Sequence, residues 1–322
     1  MASLKEIKNR IASVNSTRKI TSAMKMVASS KLHHAQVMIE NMLPYESMLE
    51  HILKTFLASE ADAKTAFSDV RPVKRVAFIV FSSNSSLCGG FNANIIKLMQ
   101  QAMNDYADLG KENILVYPVG RKAAEKVTKL GYKTMGVYNE VRNHPNAGEC
   151  IAIAQDVAQR FLDGEFDKVE IIYHHFKSAG SQILRRNTYL PIDIENHDFD
   201  IDKERDLTSV IATAESQEYL RQRGERENST VKTETKPLND NFIVEPDMDT
   251  VLGKLVPRYL NLMVYTALLD SNASEHAARM VAMQTATDNA DELLRELNLQ
   301  YNKGRQQAIT SELLDLAGGK QD

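Results

Sequence analysis

Apolar side chains recur at steps of three and four from the start of the chain. Leu4, Ile7, Ile11 and Val14 open the series, Arg18, Thr21, Lys25 and Ala28 occupy the same positions next, and Leu32, Ala35 and Ile39 restore it. This period lines one stripe of a helix and makes a seam for packing against another helix. A second apolar cluster, Ile20, Ala23, Met24 and Val27, lies about half a turn away at roughly 100° per residue. The helix therefore has two faces to satisfy. Ser3-Leu-Lys-Glu6 is a capping box at its start, Pro44 is its one strong breaker, and the first glycine is Gly89. The pattern predicts a helix over about 4–57, in an N-terminal segment 1–57. Some 50 residues at 1.5 Å each span roughly 75–80 Å, so the helix either kinks at Pro44 or outruns a compact domain.

The pattern changes in the middle of the chain. Nearly continuous apolar, β-rich runs at 73–83, 113–120 and 168–176 alternate with helical patterns at 91–109, 121–131 and 149–164. Strands alternating with helices predict a mainly parallel sheet covered on both faces, a Rossmann-like α/β domain over 73–193. Residues 181–192 add a candidate edge strand. Residues 194–240 are polar, charged and turn-rich, which predicts a mobile insert with one short helix at 206–222.

A second long helix is predicted over 246–317, with Pro257 as an early bend. Its seam runs through Leu262, Thr266, Leu269, Ala273, His276, Met280, Met283, Thr287, Ala290, Leu294, Leu297 and Tyr301. Both seams carry small and polar residues at their centres. Residues 1–32 hold seven Lys/Arg against one acidic residue, and residues 275–316 hold four against seven. Opposite charge and matching seams predict a long antiparallel two-helix coiled coil of the terminal helices, joined to the α/β domain. Two separate amphipathic helices on a globular body are the alternative.

Candidate chemistry is sparse. The net charge of −4 argues against a protein dominated by nucleic-acid binding. Two cysteines, Cys88 and Cys150, form neither a disulfide framework nor a zinc spacing and suit a reducing compartment. The amphipathic, basic N-terminus predicts neither a secretory leader nor a mitochondrial presequence, and no run of 18 apolar residues exists to span a membrane. "SSLCGGFN" (85–92) follows a strand and opens a helix, where phosphate loops sit, yet it matches no phosphate-binding pattern and has no lysine. A backbone turn with close strand–helix packing is the expectation there. His174 and His175 are adjacent on a strand, so they point to opposite faces and make poor paired metal ligands; His33 and His34 lie on the first helix. No nucleophile elbow, H-E-x-x-H or paired-carboxylate pattern occurs. A nucleotide-dependent enzyme with helical arms would need a cation in the loop at 82–92. A basic-helix nucleic-acid binder would need its N-terminal charge unneutralised by the acidic C-terminal helix.

The ends carry a resemblance. "IKNRIASVNSTRKITSAMKMVASSKL" (7–32) and "SEHAARMVAMQTATDNADELLRELNLQYNKGRQQAITSELLDLAGG" (274–319) closely resemble the gamma subunit of F-type ATP synthases. "SSLCGGFN" and "FIVEPD" (242–247) match too, and only about 196–238 falls outside the likeness. The resemblance implies a non-catalytic rotor shaft turning inside a ring of alternating alpha and beta subunits, three of each per gamma. It would couple ion flow to ATP synthesis or hydrolysis and regulate ATPase activity. The α/β domain would contact the epsilon subunit and the membrane c-ring, with no inserted segment, no nucleic acid, no cofactor and no metal of its own. The implied location is peripheral, on the cytoplasmic face of a bacterial inner membrane.

The resemblance also implies site residues. Arg18, Lys19, Met24, Lys25, Lys31 and Arg279 would face the ring, its cations attracted to acidic loops of beta. Arg305, Gln306 and Thr310 would meet a beta catch loop, and Ile309, Leu313, Leu314 and Leu316 would seat an apolar tip in a bearing. Two departures stand out. The family usually has Asp-Arg-Gly before Leu-Cys-Gly, where this chain has Asn84-Ser85-Ser86, and the segment near 196–238 is longer and more charged than typical.

Overall fold

Ser3 caps the first helix as its position predicts, with the Glu6 amide donating to Ser3 Oγ at 3.2 Å. In a computed structural model, which describes residues 3–59, 66–136, 138–143, 145–192, 242, 244, 245 and 247–318, helix α1 then runs Leu4–Ser59. It continues through Pro44. That proline is exposed, so the carbonyl it leaves without an amide partner four residues back can turn to water. The described chain forms two compact units, one from residues 1–30 and 279–322 and one from residues 31–278.

In the first unit α1 pairs with the C-terminal half of the last helix, α6 (Met248–Gly318). Position numbers climb on one helix as they fall on the other. Leu4 lies against Gly304, where an added Cβ would sit 3.2 Å from Leu4 Cδ2. Arg18 Nη1 meets Asp291 Oδ1 at 2.9 Å, and Thr21 Oγ1 meets Thr287 Oγ1 at 2.8 Å. The pair is therefore antiparallel. The seam is the one the spacing predicts: Ile7, Thr21 and Ala28 are buried on α1, as are Met283, Ala290 and Leu297 on α6. Burying this stripe is what stabilises two helices whose intrinsic propensity alone would be marginal.

The second unit holds a five-stranded sheet in the order β3-β2-β1-β4-β5. Its strands are β1 (Val76–Phe81), β2 (Ile114–Val119), β3 (Lys133–Thr134), β4 (Lys168–Ser178) and β5 (Ser181–Leu190). The first four are mutually parallel, and β5 folds back antiparallel on β4. Helices α2 (Phe91–Asn104), α3 (Arg121–Leu130), α4 (Glu140–Asn143) and α5 (Ala147–Leu162) connect them. Strand alternation sorts side chains to two faces. Val76, Phe78, Val80, Ile114, Val116 and Ile172 meet α2 and α3 through Ile95, Met99, Ala102, Ala123 and Val127. On the other face Ala77, Ile79, Phe81, Tyr117 and Ile171 share a core with α5 (Ile153, Ala154, Val157 and Phe161). Leu49, Leu53 and Phe56 of α1 and Val256, Leu260 and Leu268 of α6 join that core. The parallel sheet is covered on both faces, as its continuous apolar runs predict.

Boundaries differ where polar groups intervene. β1 starts at Val76 because the amides of Lys74 and Arg75 donate to Asp167 Oδ2 (2.8 and 2.9 Å) and not to a neighbouring strand. The helix predicted over 91–109 ends at Asn104 and gives way to two 3-10 turns, Ala107–Leu109 and Lys111–Asn113, with Gly110 at φ 81° between them. At the end of β2, Gly120 has φ 114°, and a Cβ there would fall 2.1 Å from the Ser82 carbonyl oxygen. Only glycine fits this close approach. The insert at 194–240 and the helix predicted at 206–222 lie outside the described residues.

Candidate partner-binding surfaces

Turning one seam of α1 inward leaves its second apolar cluster outside. Ile20 and Val27 are each 58% exposed and Met24 is 41% exposed; Met26, which sequence reasoning missed, is 65% exposed but lies roughly 100–160° around the helix from this cluster. Exposed apolar side chains gathered on one face of a helix mark a surface for another chain. The cations of this stretch are divided between the seam and the outer surface. Lys19 and Lys31 are exposed, Lys25 is half-buried on the seam, and Arg18 is half-buried in its ion pair with Asp291. Arg18 thus serves the helix pair as well as any outside partner. Small Ser29 and Ser30 follow, and the Thr17 hydroxyl turns back to the Ser13 carbonyl at 3.1 Å.

On α6, Arg305, Gln306 and Thr310 are exposed, and the Thr310 hydroxyl donates to the Gln306 carbonyl at 2.9 Å. Arg279 is half-buried. Ile309, Leu313, Leu314 and Leu316 stand in the open, Leu316 at 75%. Leu299 (71%), Leu293 and Val281 are also exposed, and sequence reasoning missed them. The signal was there: these three fall off the seam that Leu294, Leu297 and Tyr301 define.

The sheet has a crevice where such folds often bind ligands. From β1 the chain moves to β2 and β3 on one side and returns to β4 on the other, so the carboxyl ends of β1 and β4 flank the switch point. Here the protein's own side chains fill that place. His174, in the carboxyl-terminal half of β4, stacks on Phe91 with centroids 4.2 Å apart, and the Arg142 guanidinium lies 5.8 Å from the Phe91 ring. Helix α6 passes against the same end of β4. His175 Nδ1 donates to Asp270 Oδ2 at 2.7 Å, and Ser274 Oγ donates to the His174 carbonyl at 3.3 Å. Arg142 Nη2 reaches both the Ser271 carbonyl (2.9 Å) and Glu275 Oε2 (2.8 Å). All these side chains are buried. Burial, with the Arg142 charge adding to it, pushes the His174 imidazole down to about 3, so it is neutral. The two histidines do point to opposite faces, and both are internal.

The loop before α2 is held by its own helix. The Ser83 amide donates to Asn92 Oδ1 (3.1 Å), Asn92 Nδ2 reaches Cys88 Sγ (3.1 Å), and Leu87 and Gly89 adopt φ 66° and 57°. It is the expected turn packed between strand and helix. Asn84, in place of the family Asp, works inside the domain: its Oδ1 accepts from the Arg121 amide (3.0 Å) and its Nδ2 donates to the Asn139 carbonyl (2.8 Å). Cys150 is buried, and burial raises its thiol to about 12, well out of the reactive range. Among the described residues no group of three or more His, Cys, Asp or Glu is placed to hold a metal, and no helix is long and apolar enough to cross a membrane.

Long paired helices with apolar and cationic side chains left facing outward define an interaction protein. Comparison with known proteins says which. A model of the family described as ATP synthase matches residues 3–321. The ATP synthase gamma chain of Phocaeicola vulgatus is 52% identical over 319 residues, covering 99% of each chain. That of Bacteroides fragilis (strain ATCC 25285) is 50% identical over 319 residues, again covering 99% of each. The fold is similar to a chain in the cryo-EM structure of the Euglena gracilis mitochondrial ATP synthase rotor in rotational state 1. There the TM-score is 0.57 at 20% identity, covering 95% of this chain and 98% of that one. The chain belongs to the family of ATP synthase gamma chains.

Proposed function

We propose that this chain is the central rotor of an F-type ATP synthase, a non-catalytic axle whose helix pair turns inside a ring of three alpha and three beta subunits. The α/β domain then meets the epsilon subunit and the c-ring, on the cytoplasmic face of a bacterial inner membrane. Similarity to gamma chains over nearly the full length, at 52% identity, supports the assembly. The observation that carries the mechanism is the second apolar face of α1, Ile20, Met24 and Val27, left exposed after the seam has closed.

An axle in a sleeve must touch its sleeve without locking to it. Flat apolar contacts slide, since the hydrophobic effect is non-directional. Lys19, Lys25 and Lys31 add a diffuse positive field that acidic loops on beta can push against over several ångströms. Arg305, Gln306 and Thr310 offer directional hydrogen bonds near the end, where a catch would hold, and Ile309, Leu313, Leu314 and Leu316 form an apolar tip for a bearing. Adenine nucleotide is bound by the ring and not by this chain, whose sheet crevice is occupied by Phe91, His174 and Arg142.

Copurification tests the assembly. Tagged chain drawn from its native membrane should bring down two larger nucleotide-binding subunits, each at three copies per copy of this chain. Calorimetry of the pure chain should register no tight ATP binding; micromolar affinity would overturn the reading.

A further inference from the structure

The buried polar groups at the sheet crevice have no part in the sliding surfaces. They cluster on two successive turns of α6: Asp270, Ser271, Ser274 and Glu275 share one face at spacings of one, four and five residues. Each meets a different point of the sheet domain. Asp270 takes His175 of β4, Ser274 takes the β4 backbone at His174, and Arg142 of α4 closes on the Ser271 carbonyl and Glu275 together. The Arg142 and Glu275 side chains are 2% and 8% exposed, and those of His175 and Asp270 are 0% and 2% exposed.

A helix held to a sheet by apolar contacts alone can rotate or slip by a turn and repack, because its apolar neighbours are interchangeable. Buried charges forbid this. Any slip of α6 breaks the Arg142–Glu275 and His175–Asp270 contacts, and their loss is costly in a low-dielectric interior. Stability alone would be served as well by a hydrophobic plug, so the charges point to a fixed register.

We propose that the network of Arg142, Glu275, His175 and Asp270 is the joint that makes α6 and the parallel sheet turn as one body, and that its members are positioning residues for torque transfer. The inference rests on the rotor reading. Torsion arriving along α6 is carried into β4 and α4 by two directional contacts on adjacent turns, at the crevice where related sheets would hold a ligand.

The test uses the assembled ATP synthase in inverted membrane vesicles, comparing ATP-driven ion pumping per ATP hydrolysed. Glu275→Gln and Asp270→Asn keep side-chain size and remove charge. Leu268→Ala, in the apolar core on the same helix, is the control for destabilisation without loss of the joint. Both charge variants should assemble and hydrolyse ATP, with pumping per ATP lowered by roughly half or more, while Leu268→Ala pumps at the wild-type ratio. Wild-type ratios in both charge variants, or an equal loss in Leu268→Ala, would overturn the joint. So would failure of both charge variants to assemble where Leu268→Ala assembles, since the network would then be a folding requirement. If the wild-type complex itself hydrolyses ATP without pumping, the rotor reading fails first and the joint with it.

Discussion

Replacing His174 with phenylalanine should flatten the acid dependence of the chain's stability. The native imidazole is held at about 3 by burial and by the nearby Arg142 charge, against an ordinary value of 6.5 in the unfolded chain. Between those values the unfolded state binds a proton that the folded state refuses, so stability falls as pH drops through 6.5 and stops falling near 3. Each pH unit well inside that window costs up to about 1.4 kcal/mol, and from pH 7 to pH 5 the loss adds to about 2 kcal/mol. Phenylalanine keeps an aromatic ring against Phe91 and removes the titration. Its extra bulk costs about 1–3 kcal/mol, an offset that does not change with pH. Urea unfolding followed by circular dichroism at pH 7, 6 and 5 reads both effects. The variant should lose about 2 kcal/mol less than wild type between pH 7 and 5. Equal losses in the two proteins would refute the claim that His174 is buried neutral.

Converting Arg18, Lys19, Lys25 and Lys31 together to Gln should lower pumping per ATP hydrolysed while assembled complexes melt near the wild-type temperature. Exposed charges, and partly exposed pairs such as Arg18–Asp291, contribute only about 0–1 kcal/mol each, and high salt should mimic part of the defect; unchanged pumping would return these cations to a solvated face. Gly120→Ala should destabilise the chain by more than about 2 kcal/mol in urea unfolding, since its φ is left-handed and the new Cβ meets the Ser82 carbonyl. Glu170 is another pH-linked site. Burial alone would raise its carboxyl, but hydrogen bonds from Arg186 and Tyr106 win and hold it below the ordinary 4.5. Its contribution is therefore complete above 4.5 and is lost as pH falls through the lower folded value. Glu170→Gln should remove that acid-limb slope from melting curves taken between pH 5 and about 3.

What the sequence made legible follows from the range of the interactions involved. The seams of α1 and α6 are written at local spacing, so Leu4, Ile7 and Thr21, or Met283, Ala290 and Leu297, could be picked out one by one. The same spacing exposed Ile20 and Val27 as a face without a partner in the chain. β1, β2 and β4 were legible because a strand buried on both faces is mostly apolar along its length, β4 carrying Glu170, His174 and His175 as its buried polar exceptions. β3 was not: two residues, Lys133–Thr134, carry no pattern, and pairing with Leu115 and Val116 alone defines them. The crevice network was hidden for a different reason. His175 and Asp270 are 95 positions apart, and Arg142 and Glu275 are 133 apart. Within α6 the two acids read as ordinary polar positions of a long helix. Their one local sign was carboxylates on a stretch, 267–277, whose every other position but His276 is also buried. Arg18 shows the same limit, since its Asp291 partner turned an expected outward cation into part of the helix pair.

Rotation is the most direct test of the account. Cys88 and Cys150 are buried, so a cysteine replacing exposed Lys97 on α2 offers a thiol on this chain that can carry a probe. With the alpha and beta ring fixed to a surface and ATP supplied, the probe should turn continuously in one direction and stop when ATP is withdrawn. ATP hydrolysis at the normal rate with the probe stationary would contradict the rotor assignment.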